Sequence, residues 1–140
     1  MKKYFLLYVL AILSAASCKK SMGDCNTTTN KISVDNAVVI KQGAFVFTAG
    51  KTNNGVAKIY QQKDGKFVLG VEDMNFSSSR DFEVYFSPSS SAAGAVKLFS
   101  AKSINTKTYY QLPDSINDSF SFVVIQNDIL PEPIAVAQLE

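Results

Sequence analysis

The 140-residue chain contains no histidine. That absence removes His-assisted serine or cysteine nucleophiles, imidazole zinc sites and His-ligated haem. Cysteine is almost as scarce, with Cys18 and Cys25 alone. Beyond Met1 there are two methionines, Met22 and Met74. So few soft ligands fall short of a copper site. Helical periodicity is missing as well, since no window of 11 residues repeats apolar residues at helical spacing. Nor is there an excess of one charge: 14 basic residues stand against 12 acidic ones and no basic stretch stands out. The electrostatic footprint of nucleic-acid binding is therefore absent. The chain is expected to be no enzyme and to carry no cofactor.

What is present begins at the first residues. Lys2 and Lys3 lead into the apolar run Tyr4–Leu13, followed by Ser14-Ala15-Ala16-Ser17-Cys18. A positive start, a short apolar stretch and a small-residue cleavage site define a secretory signal over residues 1–17. The run is too short to cross a bilayer, which takes about 20 apolar residues. Its end resembles the lipobox of bacterial lipoproteins. The resemblance implies cleavage before Cys18, diacylglycerol on its sulfur and an acyl group on its new amine. Each buried methylene of such chains contributes about 0.8 kcal/mol, and stable attachment takes roughly two chains. By resemblance to Gram-negative lipoproteins, in which an Asp after the lipidated Cys favours the inner membrane, Lys19 implies the outer membrane, on its periplasmic or surface face.

Residues 18–30 then form the lipidated cysteine and a flexible tether rich in Lys, Ser, Gly, Asp, Asn and Thr. Such a segment spans roughly 20 Å. The leader holds two of the 14 basic residues and no acidic one, so the remaining 123 residues carry 12 of each sign. That length is enough for one domain with its own core. With Cys18 acylated, Cys25 is the one free thiol and no internal disulfide is possible. The adjacent Asp24 disfavours a thiolate, so Cys25 is expected to be inert apart from cross-linking two molecules in air.

From Lys31 to the end the chain consists of short β-type runs cut by turn residues. The runs are 37–41, 44–48, 56–61, 67–71, 82–87, 96–101, 109–112, 120–125 and 134–139. Lys63-Asp64-Gly65 is a strong hairpin signal, because Gly tolerates positive φ. The pattern predicts an all-β domain over residues 31–140, a single antiparallel β-sandwich or flattened barrel of about 8–9 strands. Its inward residues should include Phe45, Phe47, Leu69, Phe82, Val84, Phe86, Leu98, Phe120, Phe122 and Val124. An aromatic stripe of this density is read as core.

Several short motifs, in order, resemble the DM-thirteen domain. Gly43-Ala44-Phe45 is similar to its opening Gly-x-Phe. Val56-Ala57-Lys58-Ile59, Phe67-Val68-Leu69 and Glu72-Asp73-Met74-Asn75-Phe76 resemble its next hairpin and acidic-aromatic exit. Asp81-Phe82-Glu83-Val84-Tyr85-Phe86-Ser87 resembles its most specific strand. Tyr110-Gln111-Leu112-Pro113 and Ala137-Gln138-Leu139 resemble its Tyr-x-Ile-Pro turn and terminal Ala-x-Leu. The resemblance implies a small extracytoplasmic β-sandwich of a family often labelled electron transfer. The family's cysteine in the strand before the last has no counterpart in Val123-Val124-Ile125-Gln126-Asn127. An amide neither ligates metal as a thiolate does nor exchanges with a disulfide. The fold is therefore expected to carry over without the redox label. An extracytoplasmic redox accessory domain stays as the alternative, with Cys25 as its sole thiol.

Three groups of residues invite a functional reading. Asp114, Asn117 and Asp118 are oxygen-rich, but turn and cap hydrogen bonds explain them without the alternation of a calcium loop. Glu72 and Asp73 are adjacent carboxylates. Neighbours on a strand point to opposite faces, so they cannot flank one glycosidic bond and are read as a solvated pair at a strand end. Tyr60, Tyr85, Tyr109 and Tyr110 could form an exposed aromatic strip. Tyr85, Tyr109 and Tyr110, with Gln126, are the expected binding surface, for a protein or glycan ligand. No catalytic or metal-binding residue is assigned, and the partner implied by Cys18 is the membrane.

Overall fold

In the computed structural model, residues 32–48, 54–116, 119–127, 129 and 132–140 are described. The expected signal over residues 1–17, Cys18, the expected tether with Met22 and Cys25, and Asn117 and Asp118 lie outside them. The described residues hold six strands and no helix: β1 (Val38–Phe47), β2 (Val56–Gln61), β3 (Phe67–Ser87), β4 (Val96–Gln111), β5 (Phe122–Asn127) and β6 (Pro133–Gln138). They form one antiparallel sheet in the order β2-β1-β6-β5-β3-β4, and β2 also pairs with β3. The pairings therefore run from β1 through β2, β3, β5 and β6 back to β1. Strand β4 follows the other edge of β3.

Six strands replace the expected 8–9 because three polar interruptions stay in the hydrogen-bonded ladder. Gln42-Gly43 does not end a strand. A Cβ on Gly43 would lie 1.8 Å from the Gln138 carbonyl oxygen, so the residue serves a close approach of backbones. Gln42 and Glu140 exchange backbone hydrogen bonds there, each 3.0 Å long. The polar stretch 77–81 belongs to β3, with the register slipping between Ser77 and Phe82. The stretch 102–108 belongs to β4. Asp73 on β3 and Thr106 on β4 have φ of 52° and 65°, and the register slips beside them between Glu72 and Met74. Bulges of this kind bend a strand without ending it.

The bend is large. A straight strand of β3's 21 residues would be about 70 Å long. Yet Phe67 and Phe86, near its two ends, line the same apolar cavity of about 60 Å³. Strand β3 thus folds back on itself, and the first and last thirds of one strand meet different partners. Its start pairs with β2 and its end with β5, while β4 accompanies both.

The core fills the space inside this bend. Of the expected inward residues, Phe45, Leu69, Phe82, Val84, Phe86 and Leu98 are buried in the main cluster, with Phe47 and Phe120 packed against it. Phe76 meets Phe82 at 5.0 Å and Phe47 at 5.9 Å between ring centroids. Each such buried side chain contributes roughly 1.5–3 kcal/mol relative to exposure. Val124 is fully buried as expected, although on the face of β5 away from the main cluster, which Val123 and Ile125 join; Phe122 is only half-buried. Phe-Val-Val-Ile is apolar on both faces, so alternation alone does not set its phase. Met74, Phe76 and Ile104 are buried although they lie between the predicted runs, in 72–81 and 102–108.

Candidate functional site

The β2–β3 hairpin fixes the first cluster. Gly65 sits at φ 84°, the Gly65 N–H donates to the Gln62 carbonyl (2.9 Å), and the Gln62 N–H donates to the Lys66 carbonyl (2.8 Å). This turn sets Lys58 opposite Gly70 and Val56 opposite Glu72. On the other side of β3, Tyr109 faces Gly70 and Lys107 faces Glu72. Alternation then brings Lys58, Tyr60, Gly70, Glu72 and Tyr109 to one face of three adjacent strands.

Gly70 makes the space. A Cβ there would lie 2.9 Å from the Tyr60 ring, 3.0 Å from the Tyr109 ring and 3.2 Å from the Glu72 carboxylate. The two rings meet edge to face, with centroids 6.1 Å apart. Glu72 is 3% exposed. Its carboxylate accepts hydrogen bonds from Lys58 Nζ (2.8 Å), Tyr109 OH (3.0 Å) and Tyr60 OH. Burial pushes the Glu72 carboxyl upward, but the bonds from Lys58, Tyr60 and Tyr109 outweigh it and hold the group below the usual carboxylate range. Burial and the bond to Glu72 push both Tyr60 and Tyr109 above the usual phenol value. Three donors occupy most of the carboxylate's roughly four acceptor sites. Glu72 is thus an ionised, saturated pin between three strands.

A second cluster lies near the other end of β3. Glu83 and Tyr85, two residues apart on one face, are joined by Lys97 of β4. Both Tyr85 OH and Lys97 Nζ donate to the Glu83 carboxylate. Here the side chains of Lys97 and Glu83 are 48% and 22% exposed. The bond from Lys97, reinforced by Tyr85, lowers the Glu83 carboxyl, and the bond to Glu83, with burial, pushes Tyr85 up to about 12. Across β5, Gln126 is the register partner of Glu83 and the buried Val124 that of Tyr85.

The expected binding surface therefore divides. Tyr85 and Gln126 come to neighbouring positions, with Glu83 between them in the pairing. Tyr109, with Tyr60, belongs to the Glu72 cluster. Tyr110 points to the opposite face, where it stacks on Phe99 at 5.7 Å and packs against the core. Alternation of neighbours separates Tyr109 from Tyr110, and the fold of β3 separates Tyr109 from Tyr85.

Glu72 is not a solvated strand-end charge; it is the buried centre of a network, while Asp73 is exposed at the bulge. Sequence reasoning missed that role because Tyr109 lies 37 residues away. A partial signal was present, since the turn at Lys63-Asp64-Gly65 already makes Lys58 and Glu72 diagonal neighbours. Met74 is core, packed near Gly55. Among the described residues no group of three metal-ligating side chains occurs. The 60 Å³ cavity is far below the roughly 300 Å³ of a small-molecule site.

No family model matches the chain, and neither does any curated protein or solved structure.

Proposed function

We propose that the chain is a lipid-anchored envelope lipoprotein, attached through Cys18, whose domain over residues 31–140 is a non-catalytic binding or accessory module. The observation that carries this reading is the passage from the apolar run Tyr4–Leu13 to Ser14-Ala15-Ala16-Ser17-Cys18. It supplies a cleavage site followed at once by an acylable thiol.

The geometry supports the accessory role. Glu72 is saturated by donors and has little capacity left to accept a proton from a substrate. The Glu83–Tyr85–Lys97 cluster is half exposed and presents a phenol, an amine and a carboxylate beside Gln126. Such a polar, preorganised patch suits a protein or glycan ligand. In this proposal the domain is a β-sandwich or flattened barrel of DM-thirteen type, the folded β3–β4 hairpin lending one half to each side. The return of β3 and the closed circuit of pairings support that architecture.

Growth of cells with radiolabelled palmitate tests the anchor. The wild-type chain should incorporate label and Cys18→Ala should not; equal labelling of both overturns the reading. Lys19→Asp should move the labelled protein from outer to inner membrane fractions.

A further inference from the structure

We propose that one end of the domain lies directly on the lipid surface that holds the anchor, through an apolar patch built on Val38, Val39, Ile40 and Phe67. The inference rests on the lipoprotein reading and adds a second attachment to it. Val38, Val39 and Ile40 are consecutive in β1 and are 64%, 41% and 43% exposed; Phe67 is 38% exposed. Three consecutive exposed β-branched residues are unusual in a strand, because alternation ordinarily turns every second side chain toward the core. The register of β1 slips between Val39 and Lys41, so Ile40 is the extra residue of a bulge.

The ladder places these residues at one end of the sheet. Val38 pairs with Gln61, Gln61 pairs with Phe67, and the Phe67 carbonyl accepts from the Leu112 N–H at 2.9 Å. The 60 Å³ apolar cavity opens at the same end, with Ile40, Phe67 and Ile116 among its lining. Exposed apolar side chains gathered at one end of a sheet point to an interaction site.

The position in the chain identifies the occupant. Val38 is the sixth residue after Ile32, the first described one, so the patch lies near the N-terminal start of the described domain, the side on which Cys18 precedes it in the chain. A flexible segment of the length of residues 18–30 spans roughly 20 Å, so in this proposal the acylated Cys18 is tethered within that reach of the start of the domain. Charges around the patch are mixed. Lys41 and Glu140 line one hollow, Asp35, Lys63 and Asp64 line another, and Lys66 pairs with Asp64 at 3.6 Å. Attachment is therefore apolar and does not depend on anionic lipid.

The chain has no tryptophan, so a single introduced indole reports its own surroundings. Full-length lipidated Val38→Trp and Ser79→Trp, the latter at the exposed polar middle of β3, are placed in phosphatidylcholine vesicles with brominated acyl chains. Docking within the headgroup boundary should quench Val38→Trp about threefold or more over Ser79→Trp. The difference should persist in neutral and anionic vesicles, and adding Ile40→Asp should remove it. Equal, weak quenching of both positions in chains that carry labelled fatty acid overturns the docking and leaves the anchor standing. Chains that carry no fatty acid overturn both. A blue-shifted Val38→Trp without bromine quenching, together with cross-linked dimers, assigns the patch to a second copy and also overturns the proposal.

Discussion

The same three side-chain types, lysine, glutamate and tyrosine, meet twice along β3, near Phe67 and again near Ser87. At Glu72 the carboxylate is buried, two tyrosines reach it, and a glycine clears their path. At Glu83 one tyrosine and one lysine meet the carboxylate at the edge of solvent. Identical chemistry thus serves two purposes according to depth. A buried charge deprived of its partners is costly, whereas exposed pairs contribute little because water and salt screen them. Glu72 is positioned to tie β2, β3 and β4 together, while the Glu83 cluster keeps its polar groups partly open to solvent.

The sharpest way to break this contrast is to remove each carboxylate. Glu72→Ala should cost about 3–5 kcal/mol, since Lys58 and two phenols lose their acceptor in a closed site. Glu83→Ala should cost less than about 1 kcal/mol. Urea denaturation measures both, and equal losses would show that depth is not what separates the clusters.

Removing a single donor sharpens the contrast. Tyr60→Phe deletes a hydrogen bond to a buried ionised group and should cost roughly 1.5–3 kcal/mol, whereas Tyr85→Phe should cost under about 1 kcal/mol. Gly70→Ala should be destabilising by roughly 1–3 kcal/mol despite its gain in strand propensity, because the new methyl overpacks both rings. A neutral Gly70→Ala would mean that the rings give way freely.

Titration gives the smallest and most selective effects. Glu72 and Glu83 both have folded values below the ordinary carboxylate range. Their stabilisation is present above about pH 4.3 and is lost as pH falls through the folded values. An acid titration followed by fluorescence or circular dichroism should therefore be flattened by Glu72→Gln and by Glu83→Gln. Tyrosine runs the other way. Raised phenol values stabilise fully below about pH 10 and the contribution disappears as pH rises, for Tyr85 by about 12. Tyr85→Phe should leave most of the alkaline loss in place, since Tyr60 and Tyr109 still titrate.

Much of the fold was legible along the chain. The hairpin at Lys63-Asp64-Gly65 forms where Gly65 predicts it, β2 spans the expected Val56–Gln61, and the phenylalanines at 45, 82 and 86 are core. The site was legible only in pieces. Tyr85 and Gln126 do become neighbours, but the partner between them, Glu83, reads locally as one more outward charge. Glu72 reads as a solvated residue beside Asp73, because nothing local announces that Tyr109 will be laid across Gly70.

By itself the sequence determined the all-β character, the lack of imidazole chemistry and the short-range turns. Those depend on composition, alternation and positive φ, which neighbouring residues decide among themselves. Tertiary structure alone decided that nine β-type runs become six strands, that β3 folds back so that its two ends share one cavity, and which glutamate is buried. Each of these depends on register between distant strands and on bulges at Asp73 and Thr106. Their energy resides in packing that exists only once β2, β3 and β4 lie side by side.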